Sequence, residues 1–307
     1  MLNNFIVYFL GTGGTHPTPQ NNPPAIAVKL DSEYILLDCG EGCVKGLYSL
    51  GISPLKITRI IITHFHGDHF FGLPSLLHTM ALYERKKDLE IIGPIGTIQI
   101  IKNLVKIFPY YPSYNLIARE VSPGNFIEFD KYIIRFGPAD HTIEAISVRI
   151  DEKAPKYKLD PEKIKELRLS IDKIKALKNG GKIIVGDRII GPLELSSYEI
   201  FPRSLVYTGD TRPLRELISF SKNATVLIHD ATYTKEYYDV SREYGHSTAE
   251  DAAKVASVAN VDFLFLFHYS PRIKDKRILI KEARRIFPRT ALAMDLTYFP
   301  IPRKYID

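Results

Sequence analysis

The chain has 307 residues, 45% of them apolar and 25% charged, with a formal net charge of +6 and a pI near 9.0. That length suits one large core, or one core carrying an insertion. No run of about 18 apolar residues could span a membrane, no basic-then-apolar leader opens the chain, and two cysteines four residues apart make no disulfide framework or zinc ribbon. Cys39 and Cys43 read instead as small buried side chains in a reducing cytosol. The excess of positive charge suits a polyanion such as nucleic acid, but it also occurs on proteins that bind none.

In chain order, Asn4–Leu10 reads as a buried strand followed by the turn "GTGGTHPTP". "AIAVKL", "YILLDCG" and "ITRIIIT" (Ile57–Thr63) read as three further strands, the last running straight into "THFHGDH". "GLPSLLHTMALYERKK" suits a helix with Pro74 near its start, "LEIIGP" a short strand, and "GTIQIIKNLVKIF" (Gly96–Phe108) a second helix. From Asn125 to Ile150 the texture is β again.

Residues 151–190 then change character, with 11 Lys and Arg against 7 Asp and Glu. Asp160-Pro161-Glu162 is a helix start, and Ile164, Leu167, Ile171, Ile174 and Leu177 recur every three or four residues until Asn179-Gly180-Gly181. The spacing predicts an amphipathic helix within an insertion that projects from the core. Beyond it lie the strands "SLVYTGD", "ATVLIHD" and "VDFLFLFHYS". "STAEDAAKVASVA" is predicted as a helix capped by Ser247 or Thr248, and "IKEARRIFP" as a last helix. Strands and helices in two halves around an insertion predict two sheets flanked by helices.

Several of these strands end in a metal-ligand type of residue: His64 after "ITRIIIT", His141 after "YIIRFGPAD", Asp210 in "LVYTGD" and His268 after "FLFLF". Loops at one sheet edge are where sites gather. His64, His66 and His141 offer three nitrogens, Asp68, His69 and His268 a second set, and Asp210 can bridge both. Seven side chains are too many for one tetrahedral ion and match two ions sharing a carboxylate. A lone histidine is more often packed or exposed than a ligand; the repeated position after apolar strands sets these apart.

"THFHGDH" resembles the His-x-His-x-Asp-His signature of the metallo-β-lactamase superfamily. "FLGTGG", "PTPQNN", "LLDCGEG", "THFHGDHFFGLPSLL", "YTGDTRP", "HDATY", "GHSTAEDAA" and "LFHYSPR" follow one another in the order found in ribonuclease Z, the tRNA 3′-processing endonuclease family, and the resemblance covers nearly the whole chain. It implies an α/β, four-layer αβ/βα sandwich over residues 1–307 with a protruding insertion. It also implies two Zn2+ per subunit, with Mn2+ as a substitute, acting on precursor tRNA in a cytoplasmic homodimer.

Carried over by motif, His64, His66, His141 and Asp210 would hold one ion, and Asp68, His69, His268 and the shared Asp210 the other. Asp68 would also be the general base, and His246 the proton donor oriented by Asp230. Asp38 is expected to orient a metal ligand or its loop, and His229 to support its own loop. Ser270 and Arg272 are candidates for a phosphate contact. Residues 151–190 stand where the family's tRNA-gripping arm should be, but "SIDKIKALKNGGK" replaces its Gly-Pro-rich run. Lys173, Lys175, Lys178 and Lys182 are the expected phosphate contacts there. Cys43-Val44 and Asp230 also depart from the family's usual residues, without removing a ligand. The alternatives are another hydrolase of this fold, arylsulfatase-like or a small phosphodiesterase, and a non-catalytic RNA-binding scaffold. The basic insertion argues against the first, and the complete ligand set against the second.

Overall fold

The computed structural model describes residues 2–107 and 114–306. Side-chain alternation explains its layering. In the strand Phe5–Gly11, Phe5, Val7 and Phe9 face one core while Leu10 faces another; in Ala25–Leu30, Ile26, Val28 and Leu30 join the first core and Ala25 and Ala27 the second. The first core lies between two sheets, and the second lies beneath helices.

Among the described residues each main sheet has seven strands. The first runs Thr297–Pro300, Phe5–Gly11, Ala25–Leu30, Glu33–Leu37, Ile57–Ile61, Leu89–Gly93, Leu116–Glu120; the second runs Thr290–Leu292, Phe263–Phe267, Val226–Asp230, Ser204–Tyr207, Ile146–Glu152, Tyr132–Pro138, Phe126–Glu128. Helices Cys43–Ser49, Leu73–Leu82 and Thr97–Ile107 cover the first sheet through Leu47, Leu76, Met80 and Ile101. Ala249–Val258 and Arg277–Arg284 cover the second through Ala252, Ala256, Leu279 and Ala283. The layers are therefore helix, sheet, sheet, helix, as expected. Parallel pairing runs from Glu33–Leu37 to Leu116–Glu120 in one sheet and from Ser204–Tyr207 to Thr290–Leu292 in the other. The carboxyl ends of parallel strands are where open α/β sheets build their sites.

The predicted strands and the Thr248-capped helix are present, the cap closing a box with Asp251. Cys39 and Cys43 are buried and free, as expected. Phe108, at the end of the second predicted helix, lies outside the described residues. Sequence periodicity missed the edge strand Leu116–Glu120, whose burial is only partial along its length.

The insertion differs from its prediction in two ways. It leaves the second sheet after Glu152 and rejoins it at Ser204, rather than spanning 151–190: Asp151 still pairs with Ser204 inside the sheet. The single apolar periodicity also resolves into two helices, Pro161–Glu166 and Ile171–Lys178. Leu167 ends the first, Arg168 takes a left-handed φ of 47°, and the Ser170 hydroxyl accepts the Lys173 N–H to start the second. A hairpin, Ile183–Val185 with Arg188–Ile190, completes the unit. Tyr157, Leu159, Leu177, Ile183, Ile190 and Leu195 form its own small core, and its strand Ser196–Phe201 pairs with Lys304–Ile306.

A buried ionic knot fastens the root of this arm. Glu152 Oε1 accepts the Leu2 N–H at 2.7 Å and Arg303 Nη2 at 2.7 Å, while Oε2 accepts Arg203 Nε at 3.0 Å. Arg203 also donates to the Leu2 and Ile301 carbonyls. Burial alone would raise the Glu152 pKa; the two guanidiniums and the Leu2 amide lower it.

Candidate metal centre

Each sheet delivers ligands from its strand ends. His64 follows Ile57–Ile61, and a short turn with the helix Gly67–Phe70 places His66, Asp68 and His69 beside it. The second sheet contributes His141 beyond Tyr132–Pro138, Asp210 beyond Ser204–Tyr207 and His268 directly after Phe263–Phe267. Among the described residues five groups form, each with its ligand atoms within 4.8 Å of one another: His64, His66, His141; Asp68, His69, His268; His64, His69, Asp210; and two that include His246, with His141 and Asp210 and with Asp230 and His268. All seven side chains expected as ligands thus come together. Asp210 lies between the sets, with Oδ2 at 3.3 Å from both His69 Nε2 and His268 Nε2, 3.7 Å from His64 Nε2 and 3.9 Å from His141 Nε2.

The far side of four of the five imidazoles is already engaged, the Nδ1 of His66 facing His141 Nε2 at 3.0 Å instead. Nδ1 of His69 meets Asp38 Oδ2 at 2.7 Å, that of His141 the Gly245 carbonyl at 2.8 Å, that of His268 the Thr232 hydroxyl at 2.8 Å, and that of His64 the Thr63 hydroxyl at 3.1 Å. Such contacts fix ring orientation and leave Nε2 for an ion. His64 Nε2, His69 Nε2 and Asp210 Oδ1 are buried and, among the described residues, have no hydrogen-bond partner. Buried polar atoms without partners are costly, and here they face one another. The residues present therefore fit divalent metal binding.

Electrostatics favour the metal-binding form at three of the histidines. Burial, the largest influence, holds His64, His66 and His141 below the ordinary imidazole value, favouring the neutral form that binds metal. His69 moves up instead: burial opposes protonation, but Asp210, Asp38 and Asp68 together outweigh it. Burial would raise Asp68 and Asp210, yet the surrounding histidines hold both below the carboxylate range.

Asp38 behaves as expected of an orienting residue. Fully buried, it accepts the Thr63 N–H and hydroxyl, the His69 ring and the Tyr207 hydroxyl, all within 2.9 Å. Asp230 does the same for His246, whose Nδ1 lies 2.9 Å from Oδ2, and also accepts from Thr211 and Thr232. Burial lowers the His246 pKa, but Asp230 and Asp210 raise it overall to about 9. His229 is buried with Nδ1 against the Asp230 carbonyl, within its own loop.

The candidate ligands open into a cleft of about 820 Å³, rimmed by Thr15, His16, Phe71, Tyr244, His246 and Arg272. Arg272 thus reaches the site. The four insertion lysines do not line it, and Lys173 Nζ instead donates to the Ile184 carbonyl at 2.8 Å, inside the arm's own hairpin. Sequence reasoning passed over Thr15, Thr63, Tyr207 and Thr232 as partners of the site. The last three sit inside the quoted motifs, and Thr15, whose N–H donates to Asp68 Oδ2 at 2.7 Å, lies in the N-terminal glycine turn. Gly245 is required twice over: its φ is +78°, and a Cβ there would stand 2.6 Å from His141 Nδ1.

A family model described as anti-Pycsar protein Apyc1 matches residues 5–103, which include His64–His69 but not His141, Asp210 or His268. Over the full length the likeness is to curated ribonucleases Z. That of Picrophilus torridus is 38% identical over 304 residues, covering 99% of this chain and 98% of the relative. That of Thermoplasma acidophilum is 38% identical over 316 residues, covering 100% of both. The chain belongs to the ribonuclease Z family. As a ribonuclease Z family member it is a hydrolase of the endoribonuclease kind, and its two-sheet sandwich is the metallo-β-lactamase fold. The solved structure of human tRNase Z, short form, matches with a TM-score of 0.72 at 25% identity, covering 97% of this chain and 99% of that one.

Proposed function

We propose that the protein is a zinc-dependent endoribonuclease that removes the 3′ trailer from precursor tRNA by phosphodiester hydrolysis. The observation that carries this reading is the convergence of seven ligand-type side chains, with Nε2 of His64 and His69 left unpartnered among the described residues, in a chain of the ribonuclease Z family. His64, His66, His141 and Asp210 would hold one Zn2+, and Asp68, His69, His268 and Asp210 the other; Mn2+ suits the same donors. When bound, the pair supplies Lewis acidity to the phosphoryl oxygens and lowers the pKa of the attacking water.

The remaining work falls to this chain's own groups. Asp68 Oδ2 is fixed by the Thr15 N–H and by His268, which aims the carboxylate that takes a proton from the attacking water. The water oxygen bonds to phosphorus as the bond to the 3′-oxygen breaks. His246, held through Nδ1 by Asp230, gives the 3′-oxygen its proton. The products are a 3′-hydroxyl on the tRNA and a 5′-phosphate on the trailer. Arg272 sits at the rim where a flanking phosphate would pass.

The arm, residues 151–190 with its root to 203, is proposed as the tRNA-binding exosite, acting through Lys173, Lys175, Lys178 and Lys182, all of which are exposed; Lys173 Nζ also donates to the Ile184 carbonyl of the hairpin. No helix among the described residues is long and apolar enough to cross a membrane, and the proposed setting is the cytoplasm. A homodimer is the proposed assembly, supported by exposed Tyr48, Leu55, Leu82 and Tyr83 on elements that contact one another.

Single-turnover cleavage of a precursor tRNA carrying a 3′ trailer tests the reading. The protein with two equivalents of Zn2+ should cut beside the discriminator base, and Asp68→Ala should lose at least about 100-fold in rate. Failure to cut any such precursor with both equivalents bound would overturn it.

A further inference from the structure

Two large aromatic side chains stand in solvent on the rim of the metal cleft. Phe71 is 68% exposed and Tyr244 is 50% exposed, and both line the same cleft as His66, Asp68, His141 and His246. Core rings such as Phe5, Phe9, Phe136 and Phe267 are fully enclosed, and other exposed rings, such as Tyr83, Phe126 and Tyr298, do not line this cleft. Neither rim ring hangs loosely from the backbone. Phe71 lies against Gly67, the residue between His66 and Asp68; a Cβ added there would fall 2.5 Å from the ring. Tyr244 immediately precedes Gly245, whose carbonyl holds His141 Nδ1. Its backbone N–H closes the helix Tyr238–Glu243 by donating to Val240. One ring is thus anchored to the turn that bears Asp68, and the other to the loop that bears His246.

We propose that Phe71 and Tyr244 are base-stacking platforms for the two nucleotides that flank the scissile phosphodiester. The inference rests on the proposed endonuclease function and on its assignment of proton donor and acceptor. The leaving 3′-oxygen belongs to the last nucleotide of the mature RNA and departs toward His246, so Tyr244 stacks that base. Water attacks from the opposite side, beside Asp68, so Phe71 stacks the first base of the trailer. Every base has a π-face, so such platforms accept any base while fixing where the backbone between them lies. A single-stranded junction held by both rings would set the phosphate over the metal ligands, whereas a continuous stacked helix could not splay its bases onto two separate loops. The pair therefore selects for an unpaired strand at the cut.

The test pairs protein variants with substrate variants. Phe71→Leu and Tyr244→Leu remove a ring but keep an apolar side chain. Each should slow single-turnover cleavage of precursor tRNA by roughly 5- to 150-fold, the worth of one base–aromatic stack. Phe71→Trp and Tyr244→Phe should restore the rate. With an abasic first trailer nucleotide, Phe71→Leu should match the unsubstituted protein within about twofold while Tyr244→Leu keeps its defect; an abasic last tRNA nucleotide should give the reverse. Placing 2-aminopurine at either position gives a readout apart from rate, since stacking should quench its fluorescence and the matching Leu variant should relieve the quench. If the unsubstituted protein cuts but the Leu defects persist on abasic substrates, or no defect exists, the platforms are refuted while the nuclease stands. Absence of cutting by the unsubstituted protein would overturn both.

Discussion

Asp38 shows how far the site depends on a residue that touches no substrate. Its left-handed φ of 56° lets one carboxylate face Thr63, His69 and Tyr207 together. Asn tolerates that backbone conformation, so Asp38→Asn isolates the chemistry from the strain: its amide would present a donor where four donors converge. With two Zn2+ bound as proposed, metal titration should show one equivalent weakened by about 10- to 100-fold and the other less affected. The proposed ligands were legible because four lie within "THFHGDH" and the other three are a His or Asp following an apolar strand. Thr63, Tyr207 and Thr232 were not. A hydroxyl residue announces nothing in sequence, and only the packing of two sheets decides which imidazole it faces.

At the scale of elements, the two main sheets were readable because burial on both faces writes continuous apolar runs such as "FLFLF". The arm was not, since its helices are set by local caps rather than by periodicity. Ile164 to Leu177 keep one helical spacing across a break that Arg168 and Ser170 impose. Lys173, Lys175, Lys178 and Lys182 are all exposed, but the Lys173 ammonium is already tied to the Ile184 carbonyl of the hairpin. Replacing the last three by Ala should leave thermal unfolding nearly unchanged. The dependence of log affinity for tRNA on log salt should become shallower by roughly 0.7–0.9 per lysine that contacts a phosphate. An unchanged slope would show that the arm does not bind RNA through them.

For the whole molecule, the knot at Glu152 joins the amino terminus, the arm's return at Arg203 and the C-terminal Arg303. Glu152→Gln would leave a buried guanidinium uncompensated, and urea unfolding near neutral pH should show a loss of about 3–5 kcal/mol. The pH dependence follows from the lowered pKa of Glu152. Its contribution is complete above the unfolded value near 4.5 and is lost as pH falls through the lower folded value. The gap between the two proteins should therefore hold at neutral pH and narrow only below about 4.5. No spacing rule links positions 2, 152, 203 and 303, so this knot left no trace in the sequence.

The division of ligands between the sheets has a mechanical consequence. His64, His66, Asp68 and His69 belong to one half of the sandwich, and His141, Asp210 and His268 to the other. Ions held there would act as rivets through the seam, and parting the halves would first require drawing them. Free Zn2+ at about 100 times its dissociation constant would then add about 2.7 kcal/mol per site against unfolding. Chelation should lower the melting temperature of the entire chain in one step rather than loosen the cleft alone. Resistance to heat would become a gauge of how fully the enzyme is loaded.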